Sequence, residues 1–84
     1  MRLTQHAMEK CPAYGVEATS LLEALQMGET FIDLARGGTM VRIFKFLGRP
    51  WVAVLNPDTE RVITLYPTDL RTVESRRRNG QWMV

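Results

Sequence analysis

The segment Met40-Val41-Arg42-Ile43-Phe44-Lys45-Phe46, the turn Leu47-Gly48-Arg49-Pro50 and the run Trp51-Val52-Ala53-Val54-Leu55 decide the fold class. In the first, side chains alternate with the period of two that a strand imposes, Val41 and Ile43 on one face and Arg42, Phe44 and Phe46 on the other. Gly48 and Pro50 reverse the chain. The uninterrupted apolar run after them reads as a central strand covered on both faces. Downstream, Asn56-Pro57-Asp58-Thr59 is a β-turn with Pro in its favoured second position. Arg61-Val62-Ile63-Thr64-Leu65-Tyr66 is another strand, and Pro67 stops it. Upstream, Phe31, Ile32 and Leu34 form a short strand that reaches the turn Arg36-Gly37-Gly38-Thr39. Strands joined by loops this short run antiparallel to their neighbours, so residues 30–66 predict a four-stranded antiparallel meander sheet.

Before the strands the period is that of a helix. Ala18, Leu21, Leu22 and Leu25 fall at i, i+3, i+4 and i+7 and make one apolar stripe, with Gly28 placed as a C-terminal cap. This predicts a helix from about Glu17 to Met27. Thr4 can cap an earlier helix running to about Tyr14, which Pro12 shortens or kinks before Gly15 reverses the chain. Two helices followed by strands give an α+β domain with both helices packed on one sheet face. After Pro67, Thr68 can cap a short helix from Asp69 to about Arg78, ended by Asn79-Gly80. Gln81-Trp82-Met83-Val84 is then either an edge segment or a free tail. The chain divides into a single α+β domain over residues 1–67 and a basic C-terminal extension over residues 68–84, packed on it or trailing from it.

With 84 residues there is room for one core, and 45% hydrophobic content with a net charge of +2 argues against disorder. No apolar run approaches the ~18–20 residues of a membrane span. Arg2 is followed by polar residues and His6 rather than by the apolar region of a secretory signal. Both point to the cytoplasm. Cys11, the single cysteine, forms no intramolecular disulfide, and one Cys with one His falls short of a structural zinc site. There is no phosphate-binding glycine loop, Ser-His-Asp set or metal-ligand pair at helical spacing, so neither cofactor nor metal is expected. The charges are uneven along the chain. Residues 1–33 hold Arg2 and Lys10 against five carboxylates, whereas residues 34–84 hold nine Arg or Lys against four. Such a split points weakly to a polyanionic partner, or else to an uneven solvated surface.

Several side chains are candidates for chemistry. His6 is the only histidine and has an unperturbed pKa of ~6.5, suited to proton transfer or simply to a structural role. Arg36 and Arg42 could hold a phosphate through a bidentate guanidinium, and Lys45, on the strand face opposite Arg42, belongs to the solvent side of the sheet or contacts RNA there. Thr64 and Tyr66 share a face of their strand and could position a phosphate and aid proton transfer, though both are also ordinary strand formers. Arg71, Arg76, Arg77 and Arg78 form the densest positive charge, and Trp82 just beyond could stack on a base. The same arginines would equally suit the end of a helix, where cations complement the dipole.

Three stretches carry a resemblance in order: His6-Ala7-Met8-Glu9-Lys10-Cys11-Pro12-Ala13-Tyr14-Gly15-Val16, then Leu21 to Gly28, then Val62-Ile63-Thr64-Leu65-Tyr66-Pro67. Together they resemble a small bacterial domain family that opens H-A-x-x-R-x-x-x-R-G-[IV] and ends its meander on a strand like I-[IV]-T-x-[YF]. The match covers residues 4–67. That family is similar to the RelE/barnase/EndoU/colicin-type ribonucleases, toxins of toxin–antitoxin or contact-inhibition systems. The resemblance implies metal-independent RNA cleavage, in which the ribose 2′-OH attacks the adjacent phosphate. His6 would be the base or acid, Arg36 or Arg42 would stabilise the phosphorane, and Thr64 with Tyr66 would position the phosphate. It also implies a cognate antitoxin or immunity protein. Lys10 and Tyr14 stand where the family has arginines, and Pro12 interrupts the helix that carries them.

Two rival expectations follow from those substitutions and from the basic extension. One is a catalytically inactive module of the same scaffold, a phage- or plasmid-encoded inhibitor or regulator that docks on a host protein or nucleic acid. The other is a nucleic-acid binder that does not cleave, with the steep salt dependence that arginine–phosphate contacts confer.

Overall fold

A computed structural model describes residues 1–84. The elements are β1 (Arg2–Leu3), α1 (Gln5–Ala13), α2 (Ala18–Gln26), β2 (Glu29–Asp33), a 3-10 turn (Leu34–Arg36), β3 (Thr39–Phe46), β4 (Arg49–Leu55), β5 (Arg61–Pro67), α3 (Leu70–Arg78) and β6 (Trp82–Met83). The four-stranded meander is corrected to a six-stranded mixed sheet of order β1-β5-β4-β3-β2-β6. The meander β2-β3-β4-β5 forms its middle, β6 adds antiparallel to β2, and β1 adds parallel to β5. The helical layer is corrected as well. There are three helices, and α3 packs on the sheet face opposite α1 and α2. No helix is long and apolar enough to cross a membrane.

The first face carries the larger core. Ala7 and Cys11 of α1 and Leu21 and Leu25 of α2 pack with Phe44, Trp51, Ala53, Leu55, Val62 and Leu65 of the sheet. Trp51 is the hub. Phe44 lies stacked at 6.4 Å, Phe46 and Tyr14 meet it edge-on at 5.9 and 5.4 Å, and its Nε1–H donates to Phe46 O at 3.0 Å. Aromatic pairs in these geometries contribute about 0.5–1.5 kcal/mol each beyond the area they bury. Tyr14 thus has a packing role.

Local chemistry sets the helix ends. The Thr4 hydroxyl accepts from Ala7 N–H at 3.2 Å and donates to Ile63 O at 3.1 Å, so one residue caps α1 and ties it to β5. Pro12 sits in the last turn of α1, where it removes the helical donor to Met8 O one residue before the helix ends at Ala13, and Gly15 (φ 70°) reverses the chain. Gly28 is required by contact. A Cβ there would stand 2.5 Å from Ile43 O and 2.9 Å from Phe44 Cβ, because the end of α2 is pressed onto β3.

A bulge gives β5 its two faces. The β4–β5 register shifts between Val54 and Leu55, and the pairing passes from Thr64 to Val62. Val62 and Leu65, at odd separation, therefore both enter the first core. Thr64 and Tyr66 project to the second face, paired across to Val54 and Val52.

The second face is covered by the C-terminal segment. Asp69 caps α3 by accepting from Thr72 N–H at 2.7 Å, and Val73 buries against Phe31, Val41, Val52, Val54 and Trp82. Trp82 stacks on Phe31 at 6.2 Å, and its Nε1–H donates to the buried Asp33 carboxylate at 3.2 Å. Gln81 Nε2–H and Ala35 N–H donate to the other Asp33 oxygen at 3.3 and 3.1 Å. Leu34 N–H then donates to Gln81 O at 2.8 Å. Residues 68–84 thereby close the second apolar layer and supply β6.

Candidate functional site

His6 lies on the solvent side of α1, one residue before the inward-facing Ala7, and is exposed. Thr64 and Tyr66 leave the opposite face of the sheet, half-buried. The sheet and its first core stand between the imidazole and the hydroxyls, so these three do not form one hollow. Arg42 is on the His6 side but is committed elsewhere. Its Nη2 donates to Gln26 O and Gly28 O, both at 3.3 Å, so that it caps the C-terminal end of α2, and its Nε is buried without a partner. Cations at that position complement the helix dipole. Arg36 is exposed on the 3-10 turn, with its Nε 3.7 Å from Asp33 Oδ2. Lys45 is exposed near the end of β3 on the second face.

Trp82 does not offer its ring to solvent. It is only 3% exposed, sandwiched between Phe31 and the guanidinium of Arg76, whose Cζ sits 5.3 Å from the ring centroid. The expected stacking on a base has no free face to use. The reason is physical: an aromatic ring with a buried acceptor for its N–H stabilises the fold more than it would in water. Arg77 is held similarly over Phe31, at 5.5 Å. Both rings thus fix arginines at the inner border of α3.

The outer surface of α3 is different. Arg71, Glu74, Ser75, Arg78 and Asn79 repeat at helical spacing and line a shallow notch of about 260 Å³ with no hydrophobic lining. It is a gap between long side chains, open to water. Such a site suits charge-assisted hydrogen bonds to an anion rather than chemistry that needs water excluded. Arg36–Asp33 is the only ion pair within 4 Å in the whole structure, although the chain carries eleven Lys and Arg. Arg71 and Arg78 are exposed and unneutralised. Asp69 sits at the start of the same helix, and the hydrogen bond from Thr72 N–H, aided by the Thr72 side chain, holds its carboxyl below the ordinary value. The buried Cys11 thiol is pushed up by desolvation.

The arginine run was legible as a charge cluster. Ser75 carries no signal of its own in the sequence and Asn79 reads there only as a helix stop, although their spacing from Arg71 and Arg78 places all four on one helical stripe. No three His, Cys, Asp or Glu side chains converge in a way that could hold a metal ion. No protein-family model, curated protein or solved structure matches the chain.

Proposed function

We propose that the protein is a binding module that holds the phosphate backbone of RNA on the arginine-rich surface of α3 and does not cleave it. The observation that carries this reading is the outer stripe of α3. Arg71, Ser75, Arg78 and Asn79 share it with Glu74, whose carboxylate is not within 4 Å of either guanidinium. Arginines contact phosphate oxygens in a fork, and hydroxyl and amide side chains add positioning hydrogen bonds. Arg76 and Arg77, fixed over rings, add positive potential at the inner border of the helix. The opposite layer, α1 with α2, carries Lys10 against Glu9, Glu17 and Glu23, so it repels the same ligand.

Cleavage by 2′-OH attack needs a base, an acid and a cation within hydrogen-bond reach of one phosphate. His6 lies on the other side of the sheet from Thr64 and Tyr66, and Arg42 caps a helix. That separation favours binding over catalysis. The test is fluorescence anisotropy of a short labelled RNA against rising salt. The expected result is an affinity that falls linearly in a double-logarithmic plot. The double variant Arg71→Gln/Arg78→Gln should make that slope shallower by about 1.4, two single-strand phosphate contacts. The labelled RNA should also stay intact on a gel in EDTA. Absence of binding at low salt overturns the proposal, as does cleavage in EDTA that His6→Ala abolishes.

A further inference from the structure

The helices cover the second face of the sheet unevenly. α3 packs chiefly over β4 and β6, and α1, the helix that contacts β1 and β5, lies on the other face with the first core. Arg2, Arg61 and Ile63 are exposed there, and Thr64 and Tyr66 are half-buried beside them. β1 and β5 pair in parallel with Arg2 opposite Arg61 and Leu3 opposite Val62. Leu3 and Val62 pack into the first core, so alternation sends both arginines to the second face, side by side. Like charges directly across from each other on neighbouring strands are destabilising. Neither guanidinium has a carboxylate within 4 Å to relieve this. Tyr66 lies further along the same strand, packed against the apolar cluster and half-buried.

We infer that the β1–β5 end of the second face is a platform for a single RNA strand, on which Arg2 and Arg61 grip one phosphate and Tyr66 stacks on a base. The inference rests on the RNA-binding reading above and adds a second site to it. A pair of guanidinium groups in register, unneutralised and solvent-facing, is completed by an anion shared between them. The Thr64 hydroxyl stands between the arginines and the ring in the strand order, where it can exchange hydrogen bonds with a ribose 2′-OH. A duplex is a poor occupant because its base faces are stacked inward and offer Tyr66 nothing, whereas a single strand presents both phosphate and base.

The experiment compares a short single-stranded RNA with a duplex of the same length, using the full chain. Arg2→Gln/Arg61→Gln should weaken single-strand binding about tenfold at low salt, as expected when both guanidinium contacts to the shared phosphate are lost. Tyr66→Leu should weaken it by a similar factor, at the low end of base–aromatic stacking, and leave the duplex unaffected. Arg2→Gln/Arg61→Gln should also unfold at a temperature no lower than the parent, because it removes a like-charge neighbour. That keeps the test independent of Tyr66→Leu, which alters a half-buried side chain. If Arg2→Gln/Arg61→Gln binds both RNAs as the parent does while Arg71→Gln/Arg78→Gln loses binding, the platform is overturned and the α3 surface stands. If the parent binds neither RNA, both fall.

Discussion

Replacing Asp33 by Ala strikes at the joint between the C-terminal segment and the rest of the fold. Asp33 is 1% exposed and accepts hydrogen bonds from Trp82 Nε1, Gln81 Nε2 and Ala35 N at 3.1–3.3 Å. Hydrogen bonds to a charged acceptor contribute roughly 1.5–3 kcal/mol each, and these distances are long for such bonds, so each belongs at the lower end. Ala35 N–H and Gln81 are partly exposed and can turn to water, whereas Trp82 Nε1–H is buried and would be orphaned. Removing the carboxylate also removes its own desolvation cost, which offsets part of the loss. The net destabilisation is then about 2–4 kcal/mol. A single core of this size holds only ~3–5 kcal/mol in total. In urea, with a slope near 1 kcal/mol per M for so small a domain, the midpoint should fall by about 2 M or more. Equilibrium urea unfolding followed by tryptophan emission and circular dichroism measures it, with Asp58→Ala in the exposed turn as the control. A midpoint within experimental error of the parent, with Trp82 still shielded from quencher, would refute the role of this carboxylate.

Three further outcomes follow from the same structure. Gly28→Ala sets a methyl group against the backbone of β3, 2.5 Å from Ile43 O, and should cost about 1–3 kcal/mol in urea unfolding, whereas Gly37→Ala, with open space around it, should show only the smaller penalty of its positive φ. The Asp69 carboxyl is held below its ordinary value, so its contribution to stability is present above about pH 4 and disappears as pH falls through the lowered native value. The stability difference between the parent and Asp69→Ala should therefore shrink in acid, and a constant difference from neutral pH downward would contradict the cap. Cys11 is buried and its thiol is pushed up, so alkylation at mildly alkaline pH should be much slower in the native protein than in urea; equal rates would show that α1 does not cover it.

The strands and helices with enough residues to show a period were legible in the sequence. Alternation along β3 placed Val41 and Ile43 opposite Phe44 and Phe46, and the structure has them on those faces. Leu21 and Leu25 are the fully buried residues of α2, as the apolar stripe implies, and Trp51–Leu55 is buried on both sides. What escaped were pairings that leave no local mark. β1 and β6 are each two residues long, too short for a period, and β1 finds β5 across roughly 60 residues of chain. The bulge at β5 shifts parity within the strand, so simple alternation misplaces one end of it. The separation of the imidazole from the hydroxyls has a different origin. Nothing in residues 4–67 alone says which face of the sheet α1 covers. The arginine cluster is visible as charge, but the sequence leaves the indole that holds Arg76 open to base stacking because its acceptor, Asp33, lies 49 residues away.

Amide chemical-shift mapping on the isotope-labelled chain, titrated with a short single-stranded RNA, asks directly which layer of the fold meets the ligand. Shifts confined to the outer stripe of α3 and to Arg2, Arg61, Thr64 and Tyr66, with His6 and the rest of α1 and α2 unmoved, are the predicted result. Shifts centred on His6 and the α1–α2 layer would contradict it and return the imidazole to the centre of the function.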